Sequence, residues 1–347
     1  MGGFLGSGKT TFIKMITNHL QKDGFKVGVI VNDQGEQNID KIFLQQEINE
    51  VLDVKNGCFC CNLSDFIDSI DSLKDKVDII LAEPSGSCTD LVATVFLPLK
   101  NLNTEIVFLP FTVIVDPKKA LRIFENDDET RYLFEQQLKE ADLILINKID
   151  LYENKIIIDA KEKILQYVGQ KDMIDVCSID EKYAHLWTGY IMNMPNNSKI
   201  LKDINYDKYG LAEKSLAWFD ASINIENKQE LDTEQLLCNI AEQFLVNLNN
   251  LKVNIEHIKI YIFSEIGTAK LSITGNSSED IRFDKKLPFE AKNFSLLISC
   301  RVKAEPLVIK DISIKILENT FKHSIMKWVK INAFSPNPPK PFVRKIL

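Results

Sequence analysis

The 347-residue sequence lacks the features of several common protein classes. No apolar run reaches the ~18 residues that a membrane-spanning helix needs, so we do not expect a membrane protein. We find no internal repeat, and a chain of this length exceeds one ordinary core, so two domains are expected. Histidine is scarce, and we interpret each of the four isolated residues as structural or exposed rather than as a metal ligand: His19, His185, His257 and His323.

Basic residues are fewer than acidic ones, 42 Lys or Arg against 49 Asp or Glu. The formal net charge is −7, which argues against general nucleic-acid binding. The basic residues concentrate in residues 301–347, which hold ten Lys or Arg against three Asp or Glu. Aromatic residues are not interleaved with them, so a base-stacking surface is not expected. We interpret this stretch as a solvated basic face, and a docking face for an acidic partner protein is the alternative.

The seven cysteines do not resemble a secreted disulfide framework. Three of them cluster in GCFCC (residues 57–61), which suits a reducing compartment, where clustered thiols more often bind metal. We therefore predict a cytoplasmic protein in which Cys58, Cys60 and Cys61 hold a thiophilic ion, Zn²⁺, Co²⁺ or Cu⁺. A redox-active or merely buried cluster is the alternative. Cys88 could be a fourth ligand, although a lone cysteine is more often a small buried residue.

A phosphate-binding loop lies at residues 2–11, GGFLGSGKTT, where a glycine and four further residues precede Gly-Lys-Thr. Its glycines let backbone N–H groups approach phosphate oxygens, Lys9 reaches the β- and γ-phosphates, and the Thr10 hydroxyl can bind Mg²⁺. Periodic apolar residues after the loop predict a helix whose N-terminus faces the anion. We expect the nucleotide to contact Gly3, Gly6, Ser7, Gly8, Lys9, Thr10 and Thr11.

Two apolar runs, Phe25 to Val31 and Val77 to Ala82, have the pattern of buried parallel strands. The polar residues after each run lie at the carboxyl edge of the predicted sheet, where open α/β sheets bind ligands. After the first run, Asp33 and Glu36 are either metal-contacting acids or ordinary turn residues, and both interpretations stay open. After the second run, EPSG (residues 83–86) places an acid and a glycine opposite the phosphate loop.

These positions define a predicted catalytic centre. An acid at a strand end opposite a phosphate loop commonly holds Mg²⁺, directly or through water, and a glycine close behind it can contact the γ-phosphate. Glu83 and Gly86 have these positions. The predicted catalytic residues are Lys9, Thr10, Asp33 and Glu83, and the predicted Mg²⁺ ligands are Thr10 and Glu83.

A guanine-recognition element, NKID (residues 147–150), follows an apolar strand predicted from Ala141 to Ile146. The Asp150 carboxylate can accept hydrogen bonds from N1–H and the 2-amino group of guanine, whereas adenine does not offer that pair of donors. Lys148 can lie along the base plane. The predicted nucleotide is therefore GTP, with Asn147, Lys148 and Asp150 at the base.

The second half has a different pattern. Residues 193–213 are polar and poorly periodic, and we predict a linker there between domains of residues 1–192 and 214–332. Short alternating strands predict an antiparallel sheet covered by two helices, one capped by Asp232 and one carrying Leu317, Phe321 and Ile325. A Pro-rich tail, residues 333–347, follows. The predicted fold class is α/β: a P-loop NTPase parallel sheet flanked by helices, followed by a smaller α+β domain with an antiparallel sheet.

Together these motifs resemble the CobW family of P-loop GTPases, relatives of the HypB and UreG metallochaperones. GGFLGSGKTT, VNDQGE, GCFCC, EPSG and NKID occur in family order over roughly the first half of the sequence. The resemblance implies GTP hydrolysis with Mg²⁺ and metal at Cys58, Cys60 and Cys61. It also implies delivery of Zn²⁺ or Co²⁺, or assembly of a metal cofactor, for a client metalloprotein. We expect no nucleic-acid or membrane partner, and a homodimer is left open.

The sequence departs from the family pattern in three ways. Only Met1 and Gly2 precede Gly3, the first glycine of the phosphate-loop pattern, so we expect that the chain as written lacks the strand that leads into the loop. The histidine-rich stretch of many relatives is absent, and Cys88 is an additional cysteine. The alternative function is a GTP-dependent reactivase or assembly chaperone for a corrinoid or other metalloenzyme, in which the cysteines hold a structural metal.

Overall fold

The computed structural model describes residues 1–33, 35, 38–55, 57–102, 106–126, 129–195, 200–285 and 289–345. It divides the chain into two compact units. The first contains Met1–Ala212 and the segment that begins at Pro338, and the second contains Glu213–Asn337. The first division lies at the end of the predicted 193–213 linker, and residues from Pro338 onward pack with the first unit.

The first unit has parallel strands in two three-stranded sheets, ordered β2-β1-β3 and β4-β5-β6. The strands are β1 (Val27–Asn32), β2 (Val51–Val54), β3 (Ile79–Glu83), β4 (Thr112–Val115), β5 (Leu143–Ile146) and β6 (Asp172–Asp175). The helices are α1 (Lys9–Lys22), α2 (Ile39–Leu44), α3 (Leu63–Leu73), α4 (Leu97–Leu102), α5 (Pro117–Glu125), α6 (Glu129–Glu140), α7 (Asn154–Val168), α8 (Lys182–Ile191) and α9 (Tyr206–Lys214). A π-helical turn, Val92–Phe96, precedes α4.

Residues Met1 and Gly2 lie between the two parallel sheets. The Met1 amino group donates to the Ala82 carbonyl at 2.7 Å, on the β3 side. The Gly2 N–H donates to the Thr112 carbonyl at 2.8 Å, and Gly2 forms a parallel bridge with Val113 of β4. These two residues therefore occupy the place where the sequence analysis expects the first strand.

The core of the first unit explains why α1 forms directly after the phosphate loop. Phe12, Ile13 and Ile16 are fully buried on one face of α1, at helical spacing. They belong to a cluster that includes Val29 of β1 and Leu145 of β5. Full burial of each such side chain contributes ~1.5–3 kcal/mol. This packing fixes the start of α1 at the carboxyl edge of the parallel strands.

The second unit is an antiparallel sheet with helices, as the sequence predicts. Its six strands have the order β10-β9-β8-β11-β7-β12. They are β7 (Ala217–Asp232), β8 (Ile255–Phe263), β9 (Thr268–Ile273), β10 (Ile281–Lys285), β11 (Glu290–Val302) and β12 (Ile325–Phe334). The helices are α10 (Thr233–Asn250) and α11 (Pro306–Thr320). Asp232 caps α10, because its carboxylate accepts from the Glu234 and Gln235 N–H groups at 2.8 and 3.1 Å.

The predicted fold class is confirmed, and several element boundaries are corrected. The apolar run from Ile106 to Val115, interrupted by Pro110, predicts a further strand, but β4 begins only at Thr112. Pro110 has no N–H for a strand ladder. The last predicted helix ends at Thr320, so Phe321 is its C-cap and Ile325 begins β12. The long strand β7 was not predicted, because the polar residues in its second half hide the alternation of its buried first half.

Candidate functional site

The phosphate loop has the backbone geometry that its glycines predict. Gly3 and Gly8 have φ of 141° and 99°, and both lie in the region that side chains rarely adopt. A Cβ on Gly3 would collide with the Ile114 carbonyl, and one on Gly8 with the Asn147 amide. Gly8 is also the N-cap of α1, so the N–H groups of the first helical turn face the loop. The loop is therefore a preformed cradle for an anion.

The residues predicted to hold phosphate and magnesium lie together beside this cradle. The Thr10 hydroxyl donates to Glu83 Oε1 at 2.9 Å, and the Lys9 ammonium lies 3.5 Å from the Phe4 carbonyl. All three functional side chains are buried. Hydroxyl and carboxylate oxygens are the donors that Mg²⁺ prefers. Ser7 Oγ is buried and has no hydrogen-bond partner in the described part of the chain, which suits a phosphate oxygen.

The guanine-recognition element holds the phosphate loop from the other side. The Asn147 amide donates to the Ser7 carbonyl at 2.9 Å, and the Lys148 ammonium donates to the Gly6 carbonyl at 2.9 Å. Lys148 has φ of 62°, a conformation that costs a non-glycine residue energy. The base-recognition element and the phosphate cradle are therefore one connected structure, so a nucleotide could touch both at once.

Asp116, which lies in none of the sequence motifs, also belongs to this structure. Its carboxylate accepts from Lys148 Nζ at 2.8 Å and from the Lys119 N–H at 3.2 Å. Burial alone would raise the pKa of Asp116, but the Lys148 ammonium beside it holds that pKa below the ordinary value. Lys119 Nζ donates to the Leu5 carbonyl at 2.8 Å. The signal available in the sequence was the position of Asp116 directly after a buried strand.

The loop after β6 also contacts the guanine-recognition element and was missed. Asp150, the last residue of the guanine-recognition element, is exposed. Burial is the main cause that raises the pKa of the Cys177 thiol, and the Asp150 carboxylate adds to it. Ser178 Oγ donates to Asn147 Oδ1 at 2.7 Å. Cys177 and Ser178 carry no recognisable motif, so only the tertiary structure reveals their position.

The predicted cysteine tripod forms in the structure. Cys58 Sγ lies 2.8 Å from Cys60 Sγ and 3.1 Å from Cys61 Sγ, and the other pair is 3.9 Å apart. All three thiols are free, and these sulfurs all lie within 4.8 Å of one another. Cys58 and Cys60 are buried, whereas Cys61 is partly exposed. The three sulfurs can converge on one metal ion, and Cys61 is the sulfur of the three that solvent reaches.

The pKa values of the three thiols are shifted in different directions. Hydrogen bonding with Cys60 and, to a smaller extent, with Cys61 holds the pKa of Cys58 well below its usual range. The bond to Cys58 raises the pKa of Cys60, and the same partner raises the pKa of Cys61 to about 11. Cys58 is therefore the first thiolate of the cluster. Metal binding must release the remaining protons, because only the thiolate form is a strong ligand.

Cys88 lies beside the tripod, on the loop after β3. Its thiol is hydrogen-bonded to Cys58, and the residue is buried. Gln137 Nε2 fixes this loop by donating to the carbonyls of Gly86 and Cys88, both at 2.9 Å. The group of sulfurs within 4.8 Å of one another contains the three tripod residues without Cys88. A role of Cys88 as fourth ligand remains a prediction.

Asn32 connects the cysteine loop with the loop after β3. Its buried amide donates to the Gly57 and Val54 carbonyls at 2.6 and 3.0 Å, and its Oδ1 accepts from the Ser85 N–H at 3.3 Å. Gly57 begins the GCFCC sequence, and Ser85 lies in EPSG. One side chain therefore spans the predicted metal site and the predicted nucleotide site.

The remaining predicted residues take the following positions. Asp33 is buried, and its Oδ1 accepts from the Gly35 N–H at 3.2 Å, the contact of an ordinary turn acid. Glu36 lies outside the described residues. Thr11 is in the first turn of α1. A Cβ on Gly86 would lie 3.0 Å from the Leu5 nitrogen, so Gly86 packs directly on the phosphate loop.

Comparison with known proteins agrees with this arrangement. Residues 1–175, half of the chain, match the family model described as CobW/HypB/UreG, nucleotide-binding domain. The chain belongs to this family. The family predicted from the motifs is thereby confirmed. The matched region contains the phosphate loop, the cysteine tripod, EPSG and the guanine-recognition element.

Individual relatives are distant. The chain is 28% identical over 198 residues to a Sinorhizobium sp. protein named zinc chaperone CobW, covering 49% of this chain and 55% of that one. It is 29% identical over 188 residues to zinc-regulated GTPase metalloprotein activator 1 of Dictyostelium discoideum, covering 44% and 39%. The chain thus spans about half or less of these relatives' own lengths.

A solved structure, HypB from Helicobacter pylori in complex with nickel, aligns with a TM-score of 0.39 and 20% identity, covering 55% of this chain and 84% of that one.

Among the residues that the structure describes, no helix combines the length and apolarity that crossing a bilayer requires.

Proposed function

We propose that this protein hydrolyses GTP and uses the nucleotide state to control a transition metal held by Cys58, Cys60 and Cys61, for delivery to a client metalloprotein. The observation that carries this proposal is the Asn32 side chain, which bonds both the cysteine loop and the loop after β3. The family membership and the relatives named as zinc chaperone and zinc-regulated activator support it.

The chain's own residues can perform the hydrolysis. Water attacks the γ-phosphorus, the bond to the bridging oxygen breaks, and GDP and inorganic phosphate leave. Lys9 and the N–H groups of the phosphate loop stabilise the negative charge of the phosphate oxygens. Mg²⁺, which Thr10 and Glu83 would hold, neutralises the β- and γ-oxygens when bound. Val31, two residues before Asp33, pairs with Glu83 across β1 and β3, which supports a catalytic position for Asp33 at the same edge.

The metal is proposed to be Zn²⁺ or Co²⁺. Three convergent thiolates favour such ions over Mg²⁺ or Ca²⁺. Two of the three sulfurs are buried, which slows exchange with solvent, and the partly exposed Cys61 offers the route by which a client's ligand would approach. Cys88 is proposed as a fourth ligand, because its thiol already contacts Cys58.

Coupling between the sites follows from the loop after β3. Gly86 packs on Leu5 of the phosphate loop, and Ser85 contacts Asn32, which holds Gly57. Release of the γ-phosphate would relax the packing around Gly86 and Ser85, and Asn32 would transmit that change to the cysteine loop. The nucleotide can change the metal affinity only if it binds one loop arrangement more tightly than the other. The size of that preference limits the change in metal affinity.

The test is the affinity for Co²⁺ in the presence of GDP and of a non-hydrolysable GTP analogue, measured by absorption from sulfur-to-cobalt charge transfer. Coupling energies of this kind change affinity by ~5- to 150-fold. Equal affinities would reject nucleotide-controlled delivery. They would favour instead an assembly chaperone with a structural metal, the alternative that the burial of Cys58 and Cys60 supports.

A further inference from the structure

The segment Pro338–Lys345, here called the strap, lies across the cysteine loop within the first unit. The Lys340 N–H donates to Cys61 Sγ at 3.2 Å, and the Phe342 N–H donates to the Cys60 carbonyl at 2.9 Å. The Lys345 N–H donates to the Ala93 carbonyl at 2.9 Å. These backbone contacts join residues of the tripod to a segment 279 positions away in the sequence.

The prolines of the strap leave a single backbone N–H that can contact the sulfur. Pro338, Pro339 and Pro341 have no N–H, so Lys340 carries the one backbone donor of residues 338–341. A residue that precedes a proline is also biased toward an extended backbone. The sequence therefore presents a single N–H in an extended stretch, and that N–H meets the partly exposed sulfur of the tripod.

Arg344 anchors the strap on a buried carboxylate. Arg344 Nε donates to Asp90 Oδ2 at 2.7 Å, and the Asp90 side chain is 1% exposed. Tyr206 also donates to this carboxylate, at 2.6 Å. A buried carboxylate is costly without charge compensation, so the pair holds the strap in place. Asp90 lies two residues after Cys88, and the anchor is therefore next to the cysteine site.

We propose that the strap is a cover of the metal site that controls how fast metal enters and leaves. It rests on the proposed function, since it takes the tripod as the metal site. A ligand from a client or chelator must reach a bound ion past Cys61, and the strap lies on that sulfur. The Lys340 N–H also stabilises the Cys61 thiolate, as hydrogen bonds to metal ligands do. Arg344 and Lys340 are positioning residues in this scheme.

The experiment measures the rate at which the Co²⁺-loaded protein loses cobalt to excess EDTA. One variant, Asp90→Asn with Arg344→Ala, removes the anchor and both charges, so no uncompensated carboxylate is buried; Asn also tolerates the φ of 60° at position 90. A second variant, Lys340→Pro, removes the N–H that reaches Cys61 together with the lysine side chain. The matched control, Lys340→Ala, removes the charge and keeps the N–H.

Both test variants should lose cobalt about tenfold faster than the parent, the effect of losing a hydrogen bond to a charged group. Lys340→Ala should stay within about twofold of the parent, and the number of cobalt ions bound should not change. If both test variants lose cobalt at the rate of the parent, the proposal is overturned. It is also overturned if Lys340→Ala loses cobalt as fast as Lys340→Pro. If the double variant does not fold, Lys340→Pro alone decides.

Failure of the proposed function would look different. A parent protein without sulfur-to-cobalt absorption would show that the tripod is not the metal site. A parent with that absorption, and variants that release cobalt at the parent rate, would reject the cover and leave the metal site intact.

Discussion

Asn32 is the residue at which the proposed coupling can be broken with the least change in volume. Asn32→Asp keeps the oxygen that accepts from Ser85 and replaces the Nδ2 donor to the Gly57 and Val54 carbonyls. Each buried acceptor left without a donor costs ~1–3 kcal/mol. This penalty destabilises the arrangement in which Asn32 connects the two loops. The metal affinity of the cysteine loop should therefore no longer differ between the two nucleotide states.

The assay is the ratio of Co²⁺ affinities with a GTP analogue and with GDP. In the parent this ratio should be ~5 to 150, and in Asn32→Asp it should fall below ~2. Asn62→Asp is the matched control, because the Asn62 amide also belongs to the cysteine loop but donates to the Lys55 carbonyl, at 2.9 Å. The control should keep the parent ratio. A parent-like ratio in Asn32→Asp, with GTP still bound, would refute the reasoning.

Three further predictions address the two sites and the stability of the first unit. Replacing Cys58, Cys60 and Cys61 together by Ser should abolish the sulfur-to-cobalt absorption while GTP binding persists; Co²⁺ binding of parent strength would exclude the tripod. Asp150→Asn should move nucleotide preference from GTP toward xanthosine triphosphate, because Asn can donate to the 2-oxo group, and competition binding with ATP as control would detect it; unchanged GTP affinity would contradict this role. Burial raises the pKa of Glu140 to about 8. The folded state therefore keeps a proton that the unfolded state loses above its pKa of about 4.5, so stability is present at low pH and falls between those values. Glu140→Gln should remove this loss and melt higher than the parent at pH 8 but not at pH 5; parallel melting curves would contradict it.

The proximity of the predicted nucleotide-binding residues could be anticipated because they occur in short motifs at the ends of buried strands. The phosphate loop and EPSG stand at the same sheet edge in any parallel arrangement of these strands, and the Thr10–Glu83 contact follows. The tripod could be predicted for a similar reason, since its three sulfurs lie within four residues. In both cases the residues that meet in space lie within short segments or at strand ends, so the sequence alone indicates that they come together.

The other parts of the site depend on pairings that no short pattern contains. Asp116 and Ser178 became site residues because β4, β5 and β6 pair side by side, which brings their carboxyl ends together. In the sequence Asn32 is only the first polar residue after the apolar run Phe25 to Val31. Its bonds to Gly57 and Ser85 depend on β2 and β3 pairing on either side of β1. Strand order is a long-range property, so single-residue bridges of this kind remain hidden in the sequence.

Asn32 and the strap contact different parts of the cysteine loop, so the proposed mechanism would separate the affinity for metal from the rate of metal exchange. Asn32 holds the Gly57 carbonyl, before the first ligand, and connects to the nucleotide side. The strap contacts Cys60 and Cys61, at the side that solvent reaches. A nucleotide that moves Gly57 changes the geometry of the ligands and so the equilibrium. Displacement of the strap would leave the Gly57 contact in place, remove the Lys340 N–H from Cys61 and open a path to that sulfur. A delivery protein needs both properties, because it must retain its ion until a client arrives and then release it.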